Sequence, residues 1–176
     1  IKTTLLAFVA LFGMQTIKAA ERFVNFNQGD LLLNPQKQVT ITTDEADFKA
    51  VDIAVHALAA DFGRVTGQDA VLQHQADAKI IVGTIGHSKF IDQLAKKKLI
   101  DATQLKGKRE KFIITTVGKQ LIIAGSDRRG TVYGIYELSA QMGVSPWYYW
   151  ADVPTERHEE IYVNQGIYTD GEPAVA

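Results

Sequence analysis

Two β-branched apolar runs, at 111–116 and 120–124, are separated only by Val117-Gly118-Lys119. Strand-like runs that close together fold back on one another as an antiparallel hairpin. The chain before them follows another rule. Residues 39–42 (VTIT) and 79–82 (KIIV) read as strands, and helical periodicity follows each. Phe48, Val51, Val55, Leu58, Ala59 and Phe62 recur at helical spacing, and a shorter helix is expected over about 88–97. Strands that alternate with helices return to the same end of a sheet and pair in parallel. A parallel set extended by a hairpin makes a mixed β-sheet with flanking helices, of α+β (α/β) class.

Local signals set the expected limits of these elements. Thr43 or Asp44 should cap the first helix, with Asp44, Glu45 and Asp47 favouring the positive end of its dipole, and it should end near residues 63–67. A further strand is expected at 70–72, and Gly83-Thr84-Ile85-Gly86 should form the turn after the strand at 79–82. The last helix should run over 128–142, opened by Ser126 or Asp127 and closed by Gly143, with Val132, Ile135, Ser139 and Met142 on one face. Short β pieces at 23–26 and 31–33, broken by Asn27-Gln28-Gly29-Asp30, and another at 161–163 complete the pattern.

At 176 residues, 46% of them hydrophobic, the chain can bury a core without the disulfides that its lack of cysteine denies it. Nineteen basic against twenty acidic residues give a net charge of −1, which argues against a surface built mainly for nucleic acid or anionic lipid and points to a neutral partner or none. Residues 1–20 differ in kind. Lys2 precedes the apolar stretch 5–12, which is too short to span a bilayer, and small residues follow at Ala19 and Ala20. That is the pattern of a signal peptide, so export to the periplasm or the extracellular space is expected, with no membrane attachment after cleavage. The chain begins with Ile1 rather than methionine, and we expect it to be part of a longer polypeptide.

Several familiar chemistries find no support. His56, His74, His87 and His158 lack paired ligand spacing, and no G-x-S-x-G elbow occurs, so neither a metal site nor a serine hydrolase is expected. The glycine turn at 83–88 could cradle phosphate at a helix N-terminus, but it lacks a P-loop lysine and a dinucleotide glycine spacing. Glu156, Glu159 and Glu160 read as a solvated loop.

The informative stretch is Gly125-Ser126-Asp127-Arg128-Arg129-Gly130-Thr131-Val132-Tyr133-Gly134-Ile135-Tyr136. Gly130 and Gly134 lie one helical turn apart, and a mid-helix glycine costs about 1 kcal/mol relative to alanine, which implies close backbone approach on that side. Arg128 and Arg129 oppose the dipole at the helix start, so at least one should leave the helix to meet a carboxylate or carbonyl. Further on, Trp147, Tyr148, Tyr149 and Trp150 form a run of aromatics, followed by Asp152. Such a run either plugs against a neighbouring domain or stacks on sugar rings.

This stretch, continued by Gly143-Val144-Ser145-Pro146-Trp147-Tyr148-Tyr149-Trp150-Ala151-Asp152-Val153-Pro154, resembles the amino-terminal domain of glycoside hydrolase family 115, the xylan α-glucuronidases. More widely it is similar to the non-catalytic α/β domain that precedes the barrel in β-hexosaminidases. The resemblance implies a hexosaminidase-like domain over 21–170 and, at 171–176, the start of a linker into a catalytic barrel. It implies removal of glucuronic acid or its 4-O-methyl ether from xylan or a similar plant polysaccharide. The partners implied are the chain's own downstream barrel and, through the full enzyme, glucuronoxylan, with no cofactor and no nucleic acid. Catalytic residues are expected outside this chain, which alone should be inactive. Arg128, Arg129, Trp147, Tyr149, Trp150 and Asp152 are the candidates for a substrate-adjacent or interdomain surface. The alternatives are an autonomous carbohydrate-binding module, resting on the aromatic cluster, and a phosphate-ligand domain, resting on the Gly83 turn.

Overall fold

The computed structural model describes residues 22–145 and 154–171. In chain order these form β1 (Val24–Asn25), β2 (Leu31–Leu32), β3 (Thr40–Thr42), α1 (Lys49–Thr66), β4 (Val71–Gln73), β5 (Ile80–Thr84) and α2 (Lys89–Lys96). Then follow β6 (Phe112–Val117), β7 (Gln120–Gly125), α3 (Arg128–Gln141), β8 (Tyr162–Val163) and β9 (Ile167–Asp170). Six strands form one mixed sheet in the order β4-β3-β5-β7-β6-β9, and β1-β8-β2 form a small antiparallel sheet beside it. The first four strands of the large sheet are parallel. The β6–β7 hairpin reverses direction through a two-residue loop, Val117 pairing with Gln120, and Gly118 takes φ 59° where such a loop needs a positive φ.

Pleating divides the large sheet between two cores. Ile80 and Val82 of β5, Leu121 and Ile123 of β7, and Phe112 and Ile114 of β6 join the core that contains α1, α3 and the small sheet. Their neighbours Ile81, Ile122 and Ile113 join Phe90 and Ile91 of α2 on the other face. Side chains alternate across a strand, so β5 and β7, covered on both faces, read as unbroken apolar runs. No described helix is long and apolar enough to cross a membrane.

Three expectations change at the level of the elements. Helix α1 starts at Lys49, with Phe48 in extended conformation at its cap, because Asp44 and Asp47 bond to the start of α2 and to β5 instead of capping α1. Gly83 lies inside β5 rather than in a turn, where a Cβ would run into Ser88. Strand β9 was not anticipated from the sequence. It is a short, mostly exposed edge strand held by pairing with β6, Ile114 opposite Tyr168. The other helix ends follow their signals: Gly67 ends α1 at φ 86°, and Gly143 follows α3 at φ 88°.

Candidate functional site

In doubly wound sheets, ligands bind beyond the carboxyl ends of the strands where successive crossovers leave toward opposite faces. In this chain α1 follows β3 and α2 follows β5 on opposite faces, so the crevice lies past Thr42 and Thr84. The chain's own side chains fill it. Asp47 Oδ2 accepts the Thr84 amide at 2.7 Å, and Asp44 Oδ2 accepts the Lys89 amide at 2.7 Å. The Phe48 ring packs on the exposed His87, centroids 4.2 Å apart. Burial would raise the Asp44 pKa, but the Lys89 and Ala46 amides and the Lys89 charge outweigh it and hold the carboxyl below its usual value. The α2 amide a phosphate would take is therefore already occupied by a carboxylate.

The stretch 125–136 binds α3 to the hairpin, and each residue type has a geometric reason. Asp127 caps α3: Oδ1 accepts the Gly130 amide at 2.8 Å while Oδ2 accepts the Glu110 amide at 2.8 Å. Ser126 Oγ accepts the Lys111 amide at 3.0 Å, so the two capping candidates divide the work, one for the helix and both for the strand beside it. Thr131 is fully buried and shares a 2.7 Å hydroxyl hydrogen bond with Thr84, tying α3 to the end of β5. A Cβ on Gly125 would overlap Thr131, and one on Gly130 would overlap the Lys111 carbonyl. A Cβ on Gly134 would lie 2.9 Å from Ile123 Cγ2 and 3.2 Å from Phe112. The glycine side of α3 thus packs on its own sheet.

The two arginines part company. Arg129 reaches Glu110 Oε1 at 2.7 Å and donates to Tyr133 Oη at 3.0 Å, and these contacts raise its pKa, the Tyr133 hydrogen bond first. Arg128 is exposed and makes no hydrogen bond or ion pair among the described residues. Trp147, Tyr149, Trp150 and Asp152 lie outside the described residues. Glu156, Glu159 and Glu160 are exposed, and Glu160 accepts the Tyr162 hydroxyl. Sequence reasoning missed Glu110, whose amide bonds to Asp127 and whose carboxylate pairs with Arg129. It stands in a charged loop with no periodic signal, and only strand pairing brings it to the motif.

A mixed sheet with helices on both faces, whose crevice holds the chain's own hydrogen-bonded carboxylates, defines an α/β domain of the doubly wound kind. The chain belongs to the family described as Glycosyl hydrolase family 67 N-terminus, whose model matches residues 29–138. At 34% identity and a TM-score of 0.73, it is also similar to a family GH115 4-O-methyl-α-glucuronidase with specificity for decorated arabinogalactans, over 81% of this chain and 18% of that one. A Streptomyces plicatus N-acetyl-β-hexosaminidase shares the fold at 12% identity and a TM-score of 0.52, over 85% of this chain and 24% of that one. The chain thus spans less than a quarter of either enzyme's length. The resemblance drawn from residues 125–154 agrees with these findings, as does the hexosaminidase-like fold. A comparison with the curated proteins gives no match.

Proposed function

We propose that this chain is the non-catalytic N-terminal domain of an exported glycoside hydrolase that removes glucuronic acid or its 4-O-methyl ether from a plant polysaccharide. The similarity at 34% identity to a 4-O-methyl-α-glucuronidase carries the reaction. The self-filled crevice and the engaged motif support the non-catalytic role. Glycoside hydrolysis needs two carboxyl groups flanking the scissile bond, about 5 to 9.5 Å apart. Among the described acids, Asp44, Asp47 and Asp127 hold backbone amides, and Glu156, Glu159 and Glu160 stand in solvent. The downstream barrel supplies the reacting groups, and residues 1–20 direct export.

The test is to assay this chain, and the polypeptide extended beyond Ala176, for uronic acid released from glucuronoxylan and from glucuronate-decorated arabinogalactan. Release by the extended protein alone is the expected result. Turnover by this chain that disappears in Asp152→Ala overturns the non-catalytic role. Release of a different sugar by the extended protein overturns the reaction.

A further inference from the structure

Positive charge is gathered on one side of this nearly neutral molecule. Residues 96–111 hold seven basic side chains against two acidic ones, in a chain whose net charge is −1. The acids on this side are engaged by local partners, although Asp92 and Asp101 are exposed. Asp92 accepts the Gly86 amide at 2.8 Å, Asp101 accepts the Thr103 amide at 2.9 Å and its hydroxyl at 2.6 Å, and Glu110 pairs with Arg129. The cations are turned outward. Lys96, Lys97, Lys98 and Lys106 are exposed and make no ion pair among the described residues. A net charge near zero averages over this separation, so the argument from composition for a neutral partner does not hold for this face.

The charges border a concavity. An open cleft of about 590 Å³ lies between α2 and the ends of β5 and β7, with Ile85, Ala95 and Ala102 as apolar lining, Lys96 and Lys106 as cations, Asp92 as one carboxylate, engaged by the Gly86 amide, and Ser126 as a hydroxyl. A uronic acid has matching chemistry: a C–H ring face for apolar contact, hydroxyls for hydrogen bonds and a carboxylate for an ammonium group. Nucleic acid fits less well, because no aromatic side chain among the described residues lines the cleft to stack a base.

We propose that the α2 side of this domain is a docking surface for uronate-bearing polysaccharide, the cleft taking a glucuronyl side group between Lys96 and Lys106. The choice of this polyanion rests on the glucuronidase reading above, and the surface would hold substrate chains near the downstream barrel.

The experiment is affinity electrophoresis of the chain in native gels containing glucuronoxylan, or the same xylan with its carboxyl groups reduced to alcohols, with single-stranded RNA as competitor. Retardation by glucuronoxylan that falls with salt and vanishes on the carboxyl-reduced polymer is expected. Lys96→Gln/Lys106→Gln should bind about tenfold more weakly, while Lys119→Gln, in the hairpin loop, should bind as the parent does. Lys97→Gln/Lys98→Gln, exposed where α2 ends, gives a second reading and should also weaken binding. Equal retardation by the carboxyl-reduced polymer, unchanged affinity in both cleft-side variants, or tighter binding of RNA overturns the proposal. Retardation retained by a chain whose extended form releases another sugar supports the surface and counts only against the glucuronidase reading.

Discussion

Ser139 of α3 donates to Asp61 Oδ2 of α1 at 2.7 Å, both residues buried, and Arg64 donates to the other carboxylate oxygen. This is a polar link within an otherwise apolar helix–helix contact. A buried carboxylate left short of a partner carries much of its desolvation penalty, so Ser139→Ala should cost about 1–3 kcal/mol. Urea denaturation measures it, and an unchanged midpoint would show that the link contributes nothing.

Alanine scanning of the two glycines in α3 should give a graded loss. Helix propensity alone would stabilise each substitution by about 1 kcal/mol. At Gly130, however, the new methyl group meets the Lys111 backbone carbonyl, whereas at Gly134 it meets the end of the Ile123 side chain. A side chain can shift where backbone cannot, so Gly130→Ala should lower the melting temperature more than Gly134→Ala, and both should lower it. A raised melting temperature for either one contradicts the packing.

Asp127 serves two amides with two oxygens. Asp127→Ala removes both acceptors and should cost about 1–2 kcal/mol or more, the range of a lost cap plus a stranded strand amide. Asp127→Asn keeps a single acceptor oxygen, so it can serve Gly130 or Glu110 but not both. Its stability should fall between the parent and the alanine variant in chemical denaturation.

Acid stability should depend in part on Asp44. Its folded pKa lies below the usual value of 3.8, so the unfolded state takes up a proton first as pH falls. The stabilisation is present above pH 3.8 and is lost as pH falls through the lowered folded value. Asp44→Asn cannot ionise, so its unfolding free energy should fall less steeply over that window. Equal slopes for parent and variant in pH-dependent denaturation would remove Asp44 from the acid response.

The hairpin, the three helices and their right-hand limits are legible in the chain itself because their signals are local. Gly118 between two β-branched runs, Asp127 before an amphipathic stretch, and Gly67 and Gly143 after one each act over a few residues. The close approach behind Gly130 and Gly134 could also be inferred, because a costly residue type repeated at one helical turn demands a compensating contact. Which surface makes that contact could not.

The sequence by itself therefore determined the alternation of strands and helices, the mixed sheet and the glycine-bearing face of α3, all of which follow from periodicity and turn chemistry within a short window. Tertiary structure alone decided that Asp44 and Asp47 would serve β5 and α2 rather than α1, and that Glu110 would receive Arg129. It also decided that the lysines of 96–106 would stand beside a cleft with no ion pair among the described residues. Each of these depends on which strands become neighbours. A side-chain oxygen or a charge bonds to whatever folding brings within about 3 Å, and sequence separation carries no record of that distance.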